Sequence, residues 1–175
     1  MSARKGIGTR VARLSTVVLL VAGAGCERSA APTVPSAEVV RSYYTIPGEF
    51  SVTMRGNVAE LVVRQPETQL QRGGSIWARV GPYIYLFSQA TRDLFNDRPA
   101  LAGVRVVTRG TDGREIARAT LSRNELNAVA WKRALHIAGL ARRDGTRMPA
   151  RLEDLIEWGE EHTDHRYNSE LVHTS

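Results

Sequence analysis

The sequence predicts an α+β fold, with an antiparallel sheet of about six strands in three hairpins and two C-terminal helices packed on one of its faces. Three observations carry this reading. Strand-like patterning dominates from Phe50 to Leu121, turn-forming dipeptides divide that stretch, and the apolar period lengthens to that of a helix after Ser122.

The first hairpin is read from Phe50, Val52 and Met54, which alternate up to the turn signal Arg55-Gly56-Asn57 before Val58 to Val63 resume the pattern. Ile76 to Val80, the dipeptide Gly81-Pro82 and Tyr83 to Phe87 predict a second, because aromatic and β-branched side chains suit a pleated surface. Val104 to Thr108, Asp112-Gly113 and Glu115 to Leu121 predict a third. Between the last two, Ser88 is placed to cap a short helix from Gln89 to Asn96, ahead of the stop at Pro99.

Beyond the strands, Ser122 and Glu125 have the spacing of a capping box. Leu126, Val129, Ala130, Ala134, Ile137, Ala138 and Ala141 then form one stripe ending before Gly145. Pro149 fits the first turn of a final helix, with Leu152, Leu155 and Ile156 facing the core and Gly159 near its end. Trp131 and Trp158 are expected to pack these helices on the sheet. The resulting division is a signal segment over 1–25, an anchor and tether over 26–45, one α+β domain over 46–162 and a frayed tail over 163–175.

The 175 residues carry 24 basic and 18 acidic side chains, a formal net charge of +6. Arg4, Lys5, Arg10 and Arg13 lie in the N-terminal segment with no acid beside them, so the remainder holds 20 basic against 18 acidic residues, a balance of +2. That division removes most of the suggestion of a nucleic-acid partner. Cys26 is the single cysteine, which excludes an intrachain disulfide and a thiolate metal cluster.

After the basic start, Leu14 to Gly25 are uncharged and mostly apolar, and Ala22-Gly23-Ala24-Gly25 leads directly into Cys26. This is the layout of an export signal, shorter than the ~20 apolar residues of a spanning helix. Its end resembles the lipobox of bacterial lipoproteins. The resemblance covers residues 1–26 and implies cleavage before Cys26, acylation of that cysteine and a place in the cell envelope. Glu27 stands where an aspartate commonly marks inner-membrane retention, so the resemblance implies the outer membrane in a cell with two. Two or more acyl chains anchor a protein stably without a spanning helix. The stretch from Glu27 to about Ala37 is small, polar and broken by Pro32 and Pro35, and reads as a flexible tether.

Chemistry-bearing constellations are few. His162 and His165 are spaced to share a helical face with nearby acids, and His173 could join them in holding a metal. A solvated, frayed terminus accounts for the same residues, and no metal or other cofactor is expected. Glu153, Asp154, Glu157, Glu160 and Glu161 could be taken for a paired acid and base. They flank the apolar positions of a helix, however, and follow the basic run Lys132, Arg133, Arg142, Arg143, Arg147 and Arg151, so facing helices of opposite charge are expected. A basic face there would also suit anionic lipid. Trp77, Tyr83, Tyr85 and Phe87 could line a recognition groove, although apolar Ile84 and Leu86 between them favour a central, buried strand.

No nucleophile elbow, phosphate loop, paired-histidine zinc motif or dinucleotide fingerprint is present. The reading is therefore a noncatalytic, lipid-anchored envelope domain that binds another protein or a cell-surface component. A tethered hydrolase, marked by a pocket gathering His136 with a carboxylate and a hydroxyl, and a metal-binding tail are the alternatives.

Overall fold

The computed structural model describes residues 32–171. It is a mixed α+β structure built on one five-stranded sheet in the order β1-β2-β3-β4-β5. The elements are α1 (Ala37–Arg41), β1 (Phe50–Arg55), β2 (Val58–Arg64), α2 (Glu67–Leu86), α3 (Gln89–Asp97), β3 (Gly103–Arg109), β4 (Glu115–Ser122), α4 (Ala128–Asp144), α5 (Ala150–His162) and β5 (Asp164–Tyr167).

The first and third expected hairpins are present as β1–β2 and β3–β4, both antiparallel. The second is not a hairpin. Ile76 to Leu86 lie in α2, and β2 and β3 pair in parallel across that crossover. Six expected strands thus become five, of which β5 comes from the tail.

Tertiary burial overrides the strand propensity of Tyr83, Ile84 and Tyr85. Val80, Tyr83 and Leu86 are all fully buried in one core cluster, which helical spacing delivers to one packed side. Gly74, at φ 53° and ψ −134°, divides α2 into two helical segments, a conformation that a residue with a Cβ adopts only at a cost. The second segment lies close against α5. A Cβ on Gly159 would sit 2.4 Å from Cδ1 of Tyr83, so glycine is what permits this approach.

Three boundaries differ from expectation. Residues 37–44 are not tether, because Ser36 caps α1 while Val40 and Tyr44 are buried in the core. Ser122 belongs to β4, and Asn127 caps α4 instead by accepting from the amides of Val129 and Ala130. The last helix runs past Gly159 to His162, after which Asp164 to Tyr167 pair with Ala117 to Thr120 as an edge strand. The expected frayed tail is therefore ordered at its start. Ser88 caps α3 through the amide of Thr91, and Arg123 secures the far end of that helix by donating to the carbonyls of Leu101, Phe95 and Arg98.

The strand register separates two faces. Ala59, Leu61, Val63, Val104, Val106, Ala119 and Leu121 share one core with buried residues of the helices, Trp131 and Trp158 among them. A bulge at Thr108 and Arg109 turns Ile116 inward beside Ala117, where both meet Ala78 of α2. The alternate residues form the opposite face, which is polar and rich in arginine.

Candidate functional site

A wide recess lies at the carboxyl ends of the parallel pair, where β2 gives way to α2 and β3 ends. Ligands of α/β sheets collect at such ends because the crossover leaves a gap there. The recess measures about 700 Å³, within the ~300–1,000 Å³ of small-molecule and cofactor pockets. Ile46, Val63, Trp77, Ile84 and Tyr85 supply much of its apolar wall.

Its polar groups are largely committed to the fold. Gln65 is 5% exposed, and its Nε2 donates to the carbonyl of Trp77 at 2.8 Å. Its Oε1 is buried without a donor among the described residues. Arg142 donates to the carbonyls of Ile84 and Phe87, closing the end of α2. Burial pulls the Arg142 guanidinium below its ordinary range and pushes the Tyr85 phenol up. Among the described residues Arg64 and Arg142 are the only charged side chains in the lining, which includes no carboxylate or imidazole, and Glu49 pairs with Arg64 at 3.0 Å from outside it. Such a lining can bind and orient but offers no acid–base pair for work near neutral pH.

A second cluster joins α2, α5 and β5. The Tyr83 and Tyr167 hydroxyls lie 2.6 Å apart, Tyr167 donates to Oε1 of Glu160 at 2.8 Å, and Arg79 donates to the same oxygen at 2.5 Å. Burial alone would raise Glu160, but the bonds from Arg79 and Tyr167 prevail and hold it below the ordinary carboxylate range. Burial pushes Tyr83 up to about 12 and Tyr167 higher still. A carboxylate kept ionised between two donors is a poor general acid, so the cluster serves as a clasp.

The histidines of the tail part company. His162 ends α5, with its ring stacked 3.9 Å from Trp158 and Nδ1 2.9 Å from the Trp158 carbonyl. His165 lies on β5, tilted against Tyr167. Among the described residues no three metal-ligating side chains gather, and His173 lies outside them. His136 borders a shallow depression with Asp154, Glu157 and Glu161, whose lining includes no hydroxyl side chain.

Of the acidic cluster, Glu153, Asp154, Glu157 and Glu161 are exposed, whereas Glu160 is drawn into the clasp. The expected pairing of opposite helices is absent among the described residues. Arg151 instead pairs with Asp154 of its own helix, and Arg143 with its neighbour Asp144. Trp77 and Tyr85 line the recess while Tyr83 and Phe87 are core, a division that helical spacing makes and strand alternation could not. Gln65 was not singled out by sequence, and Arg142 was read only as part of a basic run expected to pair with the acidic helix, since nothing local marks a buried amide or a helix-closing guanidinium. Cys26 lies outside the described residues. No family model matches the chain, and neither a curated protein nor a solved structure matches it.

Proposed function

We propose that the chain is a noncatalytic envelope lipoprotein, held at a membrane by acyl chains on Cys26, that binds an apolar segment of an envelope partner in the recess beside β2 and β3. The observation that carries the binding reading is the recess itself, which is wide, mostly apolar, and free of carboxylate and imidazole. Its two arginines are already engaged, Arg142 by the carbonyls of Ile84 and Phe87 and Arg64 by Glu49, so the recess suits a neutral, apolar segment. The signal-like run ending at Ala24-Gly25-Cys26 supports the anchor, and Glu27 supports placement at the outer membrane in a two-membrane cell. Among the described residues no helix is long and apolar enough to cross a membrane, which is compatible with a lipid anchor.

Photo-cross-linking in cells tests the recess. A cross-linker at the exposed rim position Gln69 is expected to give one discrete protein adduct, and the same group at Lys132 on the far side none. Adducts of equal pattern from both positions would remove the recess as the binding site. The anchor is tested separately, by mass spectrometry of the mature N-terminus and by fractionation of Cys26→Ser after a high-salt wash, which screens electrostatic attachment and should leave this variant out of the membrane fraction while the acylated protein stays in it. A mature N-terminus away from Cys26 would overturn acylation.

A further inference from the structure

We infer that the open face of the sheet is a docking surface for an anionic phospholipid bilayer. The register places six arginines on this face, namely Arg55, Arg64, Arg105, Arg109, Arg118 and Arg166, against the carboxylates of Glu60, Glu115 and Asp164. The chain beyond its N-terminal segment is nearly balanced, so the excess of positive charge is concentrated here.

The pairing of these charges is incomplete. Glu60 serves both Arg55 and Arg105, Glu115 serves Arg118, and Glu49 in the preceding loop serves Arg64. Arg109 and Arg166 have no carboxylate within 4.0 Å among the described residues. Arg118 and Arg166 moreover stand directly opposite each other in the β4–β5 register. Like charges so placed repel. A polar recess of about 380 Å³, bordered by Glu115, Arg118, Arg166 and Asn168, opens beside them. An anion brought to this point relieves a repulsion that the fold leaves in place.

The kind of partner follows from what the face lacks. The strand register turns no aromatic side chain onto it, and Tyr167 at the edge of the polar recess is held by Tyr83 and Glu160, so the face offers no row of stacking platforms for single-stranded bases. Its apolar centre, where Val62 faces Val107, is small, with Val107 only 4% exposed and Val62 half-buried. It therefore lacks the exposed apolar anchor of a protein hot spot. Five strands at ~4.8 Å spacing give a broad surface about 20 Å across, with positive charge spread over it. That distribution complements a plane of phosphates.

Each arginine near an anionic leaflet contributes about fivefold in affinity. The test uses the chain from residue 26 onward carrying Cys26→Ser, unacylated and without the basic, apolar leader, with vesicles of phosphatidylethanolamine and phosphatidylglycerol compared with phosphatidylcholine alone. Arg118→Gln with Arg166→Gln should lower phosphatidylglycerol-dependent binding by about tenfold or more. Arg143→Gln with Arg147→Gln, an equal change of charge on the helical side, should lower it by less than about twofold.

Arg55→Gln with Arg109→Gln should repeat the loss with the β4–β5 pair intact, and each variant is checked for unchanged circular dichroism. Equal loss in the control, binding indifferent to phosphatidylglycerol, or displacement by inorganic phosphate at matching concentration would overturn the inference, the last by marking a free-anion pocket. The inference goes beyond the recess, shares only Arg64 with it, and is tested at arginines that do not line it. Failure here leaves the Gln69 cross-link and the Cys26 acylation tests as they stand.

Discussion

The hydroxyls of Tyr83 and Tyr167 meet at 2.6 Å, joining a buried residue of α2 to the last residue of the edge strand β5. Because Tyr167 also donates to Glu160, one phenol ties three elements that are remote in sequence. Tyr167→Phe keeps the ring and removes both bonds. A loss of about 1–2 kcal/mol in urea-induced unfolding is expected, together with faster amide exchange confined to β5. Unchanged exchange in β5 would show that strand pairing alone holds it.

The same clasp sets a pH dependence. Glu160 is held below its ordinary value of 4.5 in the folded chain, against burial, by Arg79 and Tyr167. A depressed carboxylate contributes stability that is complete above the unfolded value and is lost as the pH falls through the folded one. Unfolding midpoints should therefore be flat with respect to this group above about pH 5 and decline below pH 4. Glu160→Gln should be less stable at neutral pH and decline less steeply in acid, as read by thermal unfolding across the series.

Two glycines in helices should respond to alanine with opposite signs. At Gly139 of α4 an added Cβ meets nothing within 4 Å, so the helix-propensity gain of up to about 1 kcal/mol stands alone. At Gly159 of α5 it would meet Tyr83 Cδ1 at 2.4 Å, and Tyr83 is fully buried with its hydroxyl fixed. Overpacking of about 1–3 kcal/mol or more exceeds the propensity gain there. Gly139→Ala should raise the melting temperature and Gly159→Ala should lower it. A rise for both would show that α2 and α5 can move apart at little cost.

These relationships also explain what was legible beforehand. Local signals sufficed wherever a feature is local: Ser88 before α3 and Asn57 and Gly113 at the turns of two hairpins were readable in place, and the stripe after Leu126 marked a helix, although Val129 within it is 75% exposed and Trp131 takes the buried position. The segment Ile76–Phe87 was not, because its residues suit a strand and only the surrounding core makes a helix of them. β5 was hidden for a similar reason. Asp-His-Arg-Tyr has too few apolar residues to signal a strand, and it pairs because Ala117 to Thr120 present an unpaired edge. The open face was obscured by the near-uniform use of arginine, which only the strand register sorts into one side. The recess depends on a parallel crossover, a non-local property that no single stretch encodes.

Glu60 offers the sharpest separation between folding and binding on the open face. Its side chain is 11% exposed and bridges Arg55 and Arg105, and Arg105 continues the row by donating to Thr120. Glu60→Gln keeps the shape but removes the charge that two guanidinium groups share. Stability should fall by about 1–2 kcal/mol, since a partly buried charge-assisted bond is weakened. Retention on phosphatidylglycerol vesicles should rise instead, by about fivefold for one unit of added positive charge. Urea titration and vesicle co-sedimentation of the same preparation read the two effects. Movement in opposite directions is expected of a docking face, whereas a parallel decline would assign Glu60 and its arginines to the architecture of the sheet alone.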